Sequence, residues 1–130
     1  MLKSNSPLPP LPWSYRIPRS DLTIQFINFG PRLSNADTAL CLLVAANVAI
    51  THWGQPGPIG PIVLVAMSGS VDLQLVATND ITWYQWGTAI RGLTDFVDMY
   101  QAVQMEFDIR NAQSLVIGSG ILSLVALSQT

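Results

Sequence analysis

From Val103 to Arg110 the chain alternates strictly between apolar and polar residues. Val103, Met105, Phe107 and Ile109 fall on one side, and Gln104, Glu106, Asp108 and Arg110 on the other. A period of two is that of a β-strand, and one dry side with one wet side implies a sheet covered on a single face. Arg110-Asn111-Ala112-Gln113 supplies a turn, and Leu115–Leu124 returns as a partner strand. An antiparallel hairpin of this kind needs a covering layer, and the remaining patterns supply one.

Trp83, Trp86, Ile90, Leu93, Val97 and Tyr100 recur at spacings of three and four, the stripe of a helix with one buried face. That helix starts near Asn79, Asp80 or Thr82. Gly87 and Gly92 each cost it up to ~1 kcal/mol against alanine, which suggests that another backbone comes close there. A first helix is expected from about Asn35 to Trp53, capped by Ser34 with Asp37 in the place usually held by Glu, and stopped by Gly54. It is apolar nearly all round, which predicts cover on more than one side. Leu22–Phe29 reads as a strand ending at Gly30-Pro31, and Ile62–Met67 with Val71–Thr78 as a hairpin about Ser68-Gly69-Ser70.

The order is strand, helix, hairpin, helix, hairpin, with two helix-plus-hairpin units beginning near Asn35 and Asp80. The expected fold is α+β: a two-layer sandwich of antiparallel sheet with two helices on one face, β-α-β-β-α-β-β, ferredoxin-like or a variant of it. Residues 21–130 form this single domain. Residues 1–20 hold five prolines and form a Pro-rich arm with polyproline character. Its Leu8-Pro9-Pro10-Leu11-Pro12 looks like a groove ligand, but Ser6 stands where a basic residue is usual. An arm lying on its own domain or on another copy accounts better for it.

Bulk properties narrow the function. Charged residues make up 11% of the 130, where about 25% is usual. A surface so poor in charge is either a neutral surface on a monomer or an extra apolar face used by a second copy, a protein partner or a hydrophobic small molecule, and composition alone does not separate the two. With 49% hydrophobic residues, disorder of the body is excluded. The net charge is −2 and the six basic residues are scattered from Lys3 to Arg110, which argues against nucleic-acid binding. The longest apolar run, Ala39–Ala46, is far short of a membrane span. No signal peptide is visible; the expected compartment is the cytoplasm, or outside the cell if a signal has been removed.

Reactive groups are few. Cys41 sits in an apolar run and reads as a buried free thiol. His52 is the only histidine, and a polar residue at a helix end explains it better than a catalytic base. One His and one Cys make no structural zinc site, and no cofactor motif is present. Glu106 and Asp108 share a strand face and read as a solvated pair. Gly118-Ser119-Gly120 lacks the further glycine and helix of a dinucleotide turn and reads as a bulge or close contact. The aromatic cluster Trp83, Tyr84 and Trp86, with Arg91 and His52, is the candidate ligand- or partner-binding site, a flat apolar pocket beside Asp80 and Arg91.

Ile17-Pro18-Arg19-Ser20-Asp21-Leu22-Thr23-Ile24, Thr82-Trp83 with Gly92-Leu93 and Phe96, and Ile117-Gly118-Ser119-Gly120 together resemble small uncharacterised proteins of filamentous fungi. Many of those carry secretion signals and some are called effector-like. The similarity spans about residues 17–124 and implies a source and secretion, with no reaction attached. The reading is a non-enzymatic interaction module that self-associates. The alternative is a cofactor-free isomerase or cyclase acting on a hydrophobic metabolite.

Overall fold

The computed structural model describes residues 7–125. The elements run β1 (Trp13–Arg16), β2 (Thr23–Arg32), α1 (Asn35–Thr51), β3 (Ile62–Ser68), β4 (Val71–Ala77), α2 (Trp83–Met99), β5 (Val103–Arg110) and β6 (Val116–Leu124). All six strands form one antiparallel sheet in the order β1-β2-β5-β6-β4-β3. The molecule is α+β, with a six-stranded antiparallel sheet and two helices. The chain thus consists of three hairpins separated by two helices, and the third hairpin lies between the other two. Each outer hairpin leads into a helix, so the repeat in space is hairpin-then-helix.

Why the third hairpin sits where it does is visible in its side chains. Phe107 faces Gly120 across β5 and β6, and Leu75 faces the same glycine from β4. A Cβ on Gly120 would lie 2.4 Å from Phe107 Cζ and 2.8 Å from the Gln74 carbonyl oxygen. The missing side chain is therefore the space that the phenyl ring occupies. The close contact expected at Gly118-Ser119-Gly120 is of this kind, within an unbroken pairing of β4 with β6.

The core lies between the sheet and the helices. Phe26, Phe96, Phe107, Leu75, Ile90 and Leu93 are among its fully buried members. Of the predicted stripe α2 buries Trp86, Ile90 and Leu93, with Trp83, Val97 and Tyr100 partly buried, and Ala89 and Phe96 join the buried face. It begins in a full capping box, with the Thr82 hydroxyl accepting from the Gln85 amide and the Thr82 amide donating to Gln85 Oε1. At Gly92 the close neighbours are Ile17 and Ile24 side chains, not backbone.

Three expectations are corrected. Part of the proline-rich arm is strand: Trp13 pairs with Phe26 and Tyr15 with Ile24. Its ring stands 5.8 Å from Phe26 and Phe96 and 5.5 Å from Tyr100, so aromatic packing overrides the prolines around it. The arm's first six residues, including Ser6, lie outside the described ones. Strand β2 also continues through Gly30-Pro31, because register shifts take both residues out of the ladder with β5. Helix α1 ends at Thr51 without using Gly54. His52 caps it, its Nδ1–H donating to the Val48 carbonyl at 2.8 Å. Helix α1 is covered on two sides, by β3 and β4 and by α2, as its composition predicts, and among the described residues its outer face is open. Thr38, Cys41, Leu42, Ala45 and Ala49 are buried, while Leu40, Leu43, Val44, Val48 and Ile50 are about half exposed.

The start of α1 also differs in detail. Ser34 accepts from the Asp37 amide at 3.1 Å, but the Asp37 carboxylate does not return to the cap. It reaches the tip of the β3–β4 hairpin, where Ser70 donates to it from its amide (2.9 Å) and its hydroxyl (2.6 Å). Those two bonds hold the Asp37 carboxyl below its ordinary value of 3.8. A depressed carboxylate stabilises the fold above its unfolded pKa, and the contribution is lost as pH falls through the lower folded value. The difference in melting temperature between the wild type and Asp37→Asn is expected to be constant from pH 7 to about pH 4 and to shrink below it. A second expectation concerns the sheet centre. Gly120→Ala should cost ~1–3 kcal/mol in urea melts, whereas Gly54→Ala, with nothing within 4 Å, should stay within ~0.5 kcal/mol.

Candidate functional site

The C-terminal end of α1 comes against the first turns of α2, where His52 meets Trp83 and where, of the five expected site residues, Tyr84 and Arg91 line a groove. The His52 ring stacks on Trp83 with centroids 4.4 Å apart. Tyr84 is exposed and leans on Trp53, 5.3 Å away. Trp53 can lie there because Gly87 has no side chain: a Cβ would stand 2.7 Å from the indole Nε1. Arg91 donates from Nη2 to the Pro18 carbonyl at 2.6 Å. Trp86 is the one not brought in. It is 3% exposed and points into the core.

Between these side chains runs a groove of about 300 Å³, lined by Ala46, Ile50, Trp53, Tyr84, Gly87, Thr88, Ile90, Arg91 and Thr94. Its walls are mostly apolar, with the Arg91 guanidinium at one side. Asp80 is not part of it; the Asp80 amide is held by the Thr78 hydroxyl. Beyond Tyr84 a second, more polar hollow of about 400 Å³ is bounded by Arg19, Ser20, Asp21, Leu22, Gln85 and Thr88. The groove can take an aliphatic or aromatic body. Tyr84 and Arg91 are the titratable groups on its walls, and His52 is not among its lining residues.

The other reactive side chains lie elsewhere. Glu106 and Asp108 stand on the sheet face away from the helices, where Asp108 accepts from the Ser119 hydroxyl at 3.0 Å and sits 3.7 Å from Arg110. Cys41 is buried under α1, its thiol donating to the Ala66 carbonyl of β3 at 3.4 Å. Burial first, and then the Asp72 charge, push that thiol up to about 11, far from a reactive thiolate. Among the described residues no three His, Cys, Asp or Glu side chains come together as a metal site. No helix among them is long and apolar enough to cross a membrane.

One surface was missed from sequence. The edge strand β3 and the outer side of α1 form a stretch in which residues 33–71 contain a single charged side chain, Asp37, beside the lone His52. Ile62, Val63, Val65 and Met67 are each about half exposed. The signal was legible as a charge-free run, but strand order was needed to show that, among the described residues, β3 has no neighbour on one side. Compared with protein-family models, curated proteins and solved structures, the chain matches none of them.

The two tryptophans of α2 give a direct check on which of these residues belong to a site. Trp86→Ala should cost ~3–5 kcal/mol in urea melts, as a fully buried ring does. Trp83→Ala, with its ring partly buried against the core and stacked on His52, should cost less than ~3 kcal/mol. Equal large losses would remove Trp83 from the site and assign it to the core.

Proposed function

We propose that this protein is a non-enzymatic interaction module that self-associates. The observation that carries the reading is where its exposed apolar side chains lie. Among the described residues nineteen large hydrophobic side chains are exposed, and ten of them fall between Leu40 and Met67. Scattered exposed leucines mean little, but a concentration on one helix and one edge strand is the composition of a contact surface. Helix α1 is covered by the sheet and by α2, yet Leu40, Leu43, Val44, Val48 and Ile50 on its outer face are left exposed by the described residues. A second copy is the simplest source of cover for them, because the scarce surface charge offers little repulsion to oppose it.

The groove between α1 and α2 supports a second reading, a cofactor-free isomerase or cyclase acting on a hydrophobic metabolite. Its size and apolar walls suit such a ligand, and Tyr84 and Arg91 are the groups able to orient one. The resemblance to secreted, effector-like fungal proteins adds a proposed setting for an interaction module. We also read the fold as a variant of the ferredoxin-like plan. The succession β2–α1–β3–β4–α2–β5 supports this, and the added strands and the central placing of β5–β6 are what make it a variant.

Light scattering at high micromolar concentration is expected to give at least twice the chain mass of 14.1 kDa. A sharp single-chain mass would overturn the self-association reading. A small hydrophobic molecule retained in native mass spectrometry, and lost in Gly87→Leu, would favour the enzyme reading instead.

A further inference from the structure

We infer that β3 is the contact: two copies pair antiparallel along their β3 edges, about a twofold axis at Val65, and their sheets become one continuous sheet. The inference rests on the self-association reading and names its surface. It starts from the unequal treatment of the two sheet edges. Strand β1 is four residues long, is entered through Pro9, Pro10 and Pro12, and ends at Arg16. Short length, prolines and a cation are the usual means of keeping an edge from pairing. Strand β3 has none of them. Its seven residues, IVLVAMS, carry no charge and no proline, and they pair with β4 in seven consecutive registers without a bulge.

The backbone of β3 is set up for such a partner. The hairpin closes through the two-residue loop Gly69-Ser70, with Ser68 opposite Val71, and Gly69 has the positive φ, 58°, that a type II′ turn needs at its first position. In a two-residue hairpin the closing pair is hydrogen-bonded, and bonded pairs then alternate along the ladder. Ser68, Ala66 and Leu64 therefore bond to β4. Val63, Val65 and Met67 turn their N–H and C=O groups away from it, toward the open edge. With the twofold axis at Val65, Val65 faces its own copy and Val63 faces Met67 of the second copy. Every outward group in this stretch then finds a partner.

The side chains agree with that register. Val63, Val65 and Met67 share the sheet face away from the helices, so the new cross-strand neighbours are apolar on apolar, with no like charges opposed. On the helix side Leu64 meets Ala66 of the second copy. Above the edge, Val44 and Val48 continue along α1 from Cys41, whose thiol touches β3 at Ala66. At roughly 100 Å² for a wholly buried side chain of this kind, the half-exposed apolar groups at this edge offer on the order of 300 Å² per copy. With the strand backbone added, the contact belongs at the small end of specific interfaces, below about 1,200 Å² in total. A dimer that forms at micromolar concentration fits that size.

Amide hydrogen exchange read residue by residue, at low and high protein concentration, tests the pairing. When about nine-tenths of the chains are paired, the amides of Val63, Val65 and Met67 should exchange about tenfold more slowly, since only the unpaired tenth exchanges freely. The amides of Leu64 and Ala66 should not respond to concentration. Val65→Pro removes an outward donor without touching the β4 ladder, and Val65→Lys adds an edge cation; both should return the mass to 14.1 kDa with a retained cooperative melt. Should the proline variant fail to fold, the lysine variant decides. Protection at these amides that ignores concentration would show the edge to be covered within one chain and overturn the inference. A dimer that survives both Val65 variants but dissolves in Leu43→Lys would place the contact on the helix layer, overturning the β3 pairing and keeping self-association. A wild type that stays monomeric removes both.

Discussion

The ring of Phe107 lying over Gly120 is the contact on which the sheet depends. Strand β5 holds β2 and, through it, β1; strand β6 holds β4 and, through it, β3. The two halves of the sheet meet only across β5 and β6, so the register of that hairpin sets the position of everything outside it. A slip of one residue would send Val103, Met105, Phe107 and Ile109 to the wet face and Glu106 and Asp108 into the core. Gly120 opposes such a slip by leaving, at the observed register, the space that the ring of Phe107 occupies.

From that centre outward the structure becomes less symmetric. Toward β1 the helix side fills with aromatic rings: Trp13, Phe26, Phe29, Phe96 and Tyr100 contact one another across two strands and α2. The Tyr15 hydroxyl adds a 3.0 Å bond to Asp95. Large rings bury much area per residue and seal this end. Toward β3 the layer consists of alanine, valine and leucine under α1, tied down by the Asp37 carboxylate at the Ser70 hairpin tip. Smaller side chains fill the space beneath the helix but leave its outer face apolar and open. The sealed end and the open end belong to one sheet, and the functional reading rests on the open one.

The aromatic cluster at the start of α2 shows how packing and binding divide neighbouring residues. Trp86 turns inward, and Tyr84 turns outward beside a groove that exists because Gly87 admits Trp53. His52 spends its ring on Trp83 and its Nδ1–H on the Val48 carbonyl. What remains on the groove walls is an apolar surface with a phenol and a guanidinium, suited to holding a ligand in place.

Much of the secondary structure was legible in the residues alone. The alternation at Val103–Arg110, the stripe from Trp83 to Tyr100, and the cap Ser34 all depend on side chains within four positions of one another, and periodicity records such relations directly. The strand in the arm was not legible, because Trp13 is held by Phe26, Phe96 and Tyr100, none of them near it in the chain. Nor was the destination of Asp37, whose partner at Ser70 lies 33 residues on. The same reason separates the two halves of the site. Which aromatics cluster on α2 follows from their spacing, whereas Trp53 beside Gly87 is a meeting of two helices. Sequence by itself determined an α+β chain with one dry sheet face and a first helix apolar nearly all round. Tertiary structure alone decided that the last hairpin is central and that, among the described residues, β3 ends the sheet and the apolar helix keeps one face uncovered. Strand order and cover are sums of distant contacts, and no local pattern carries them.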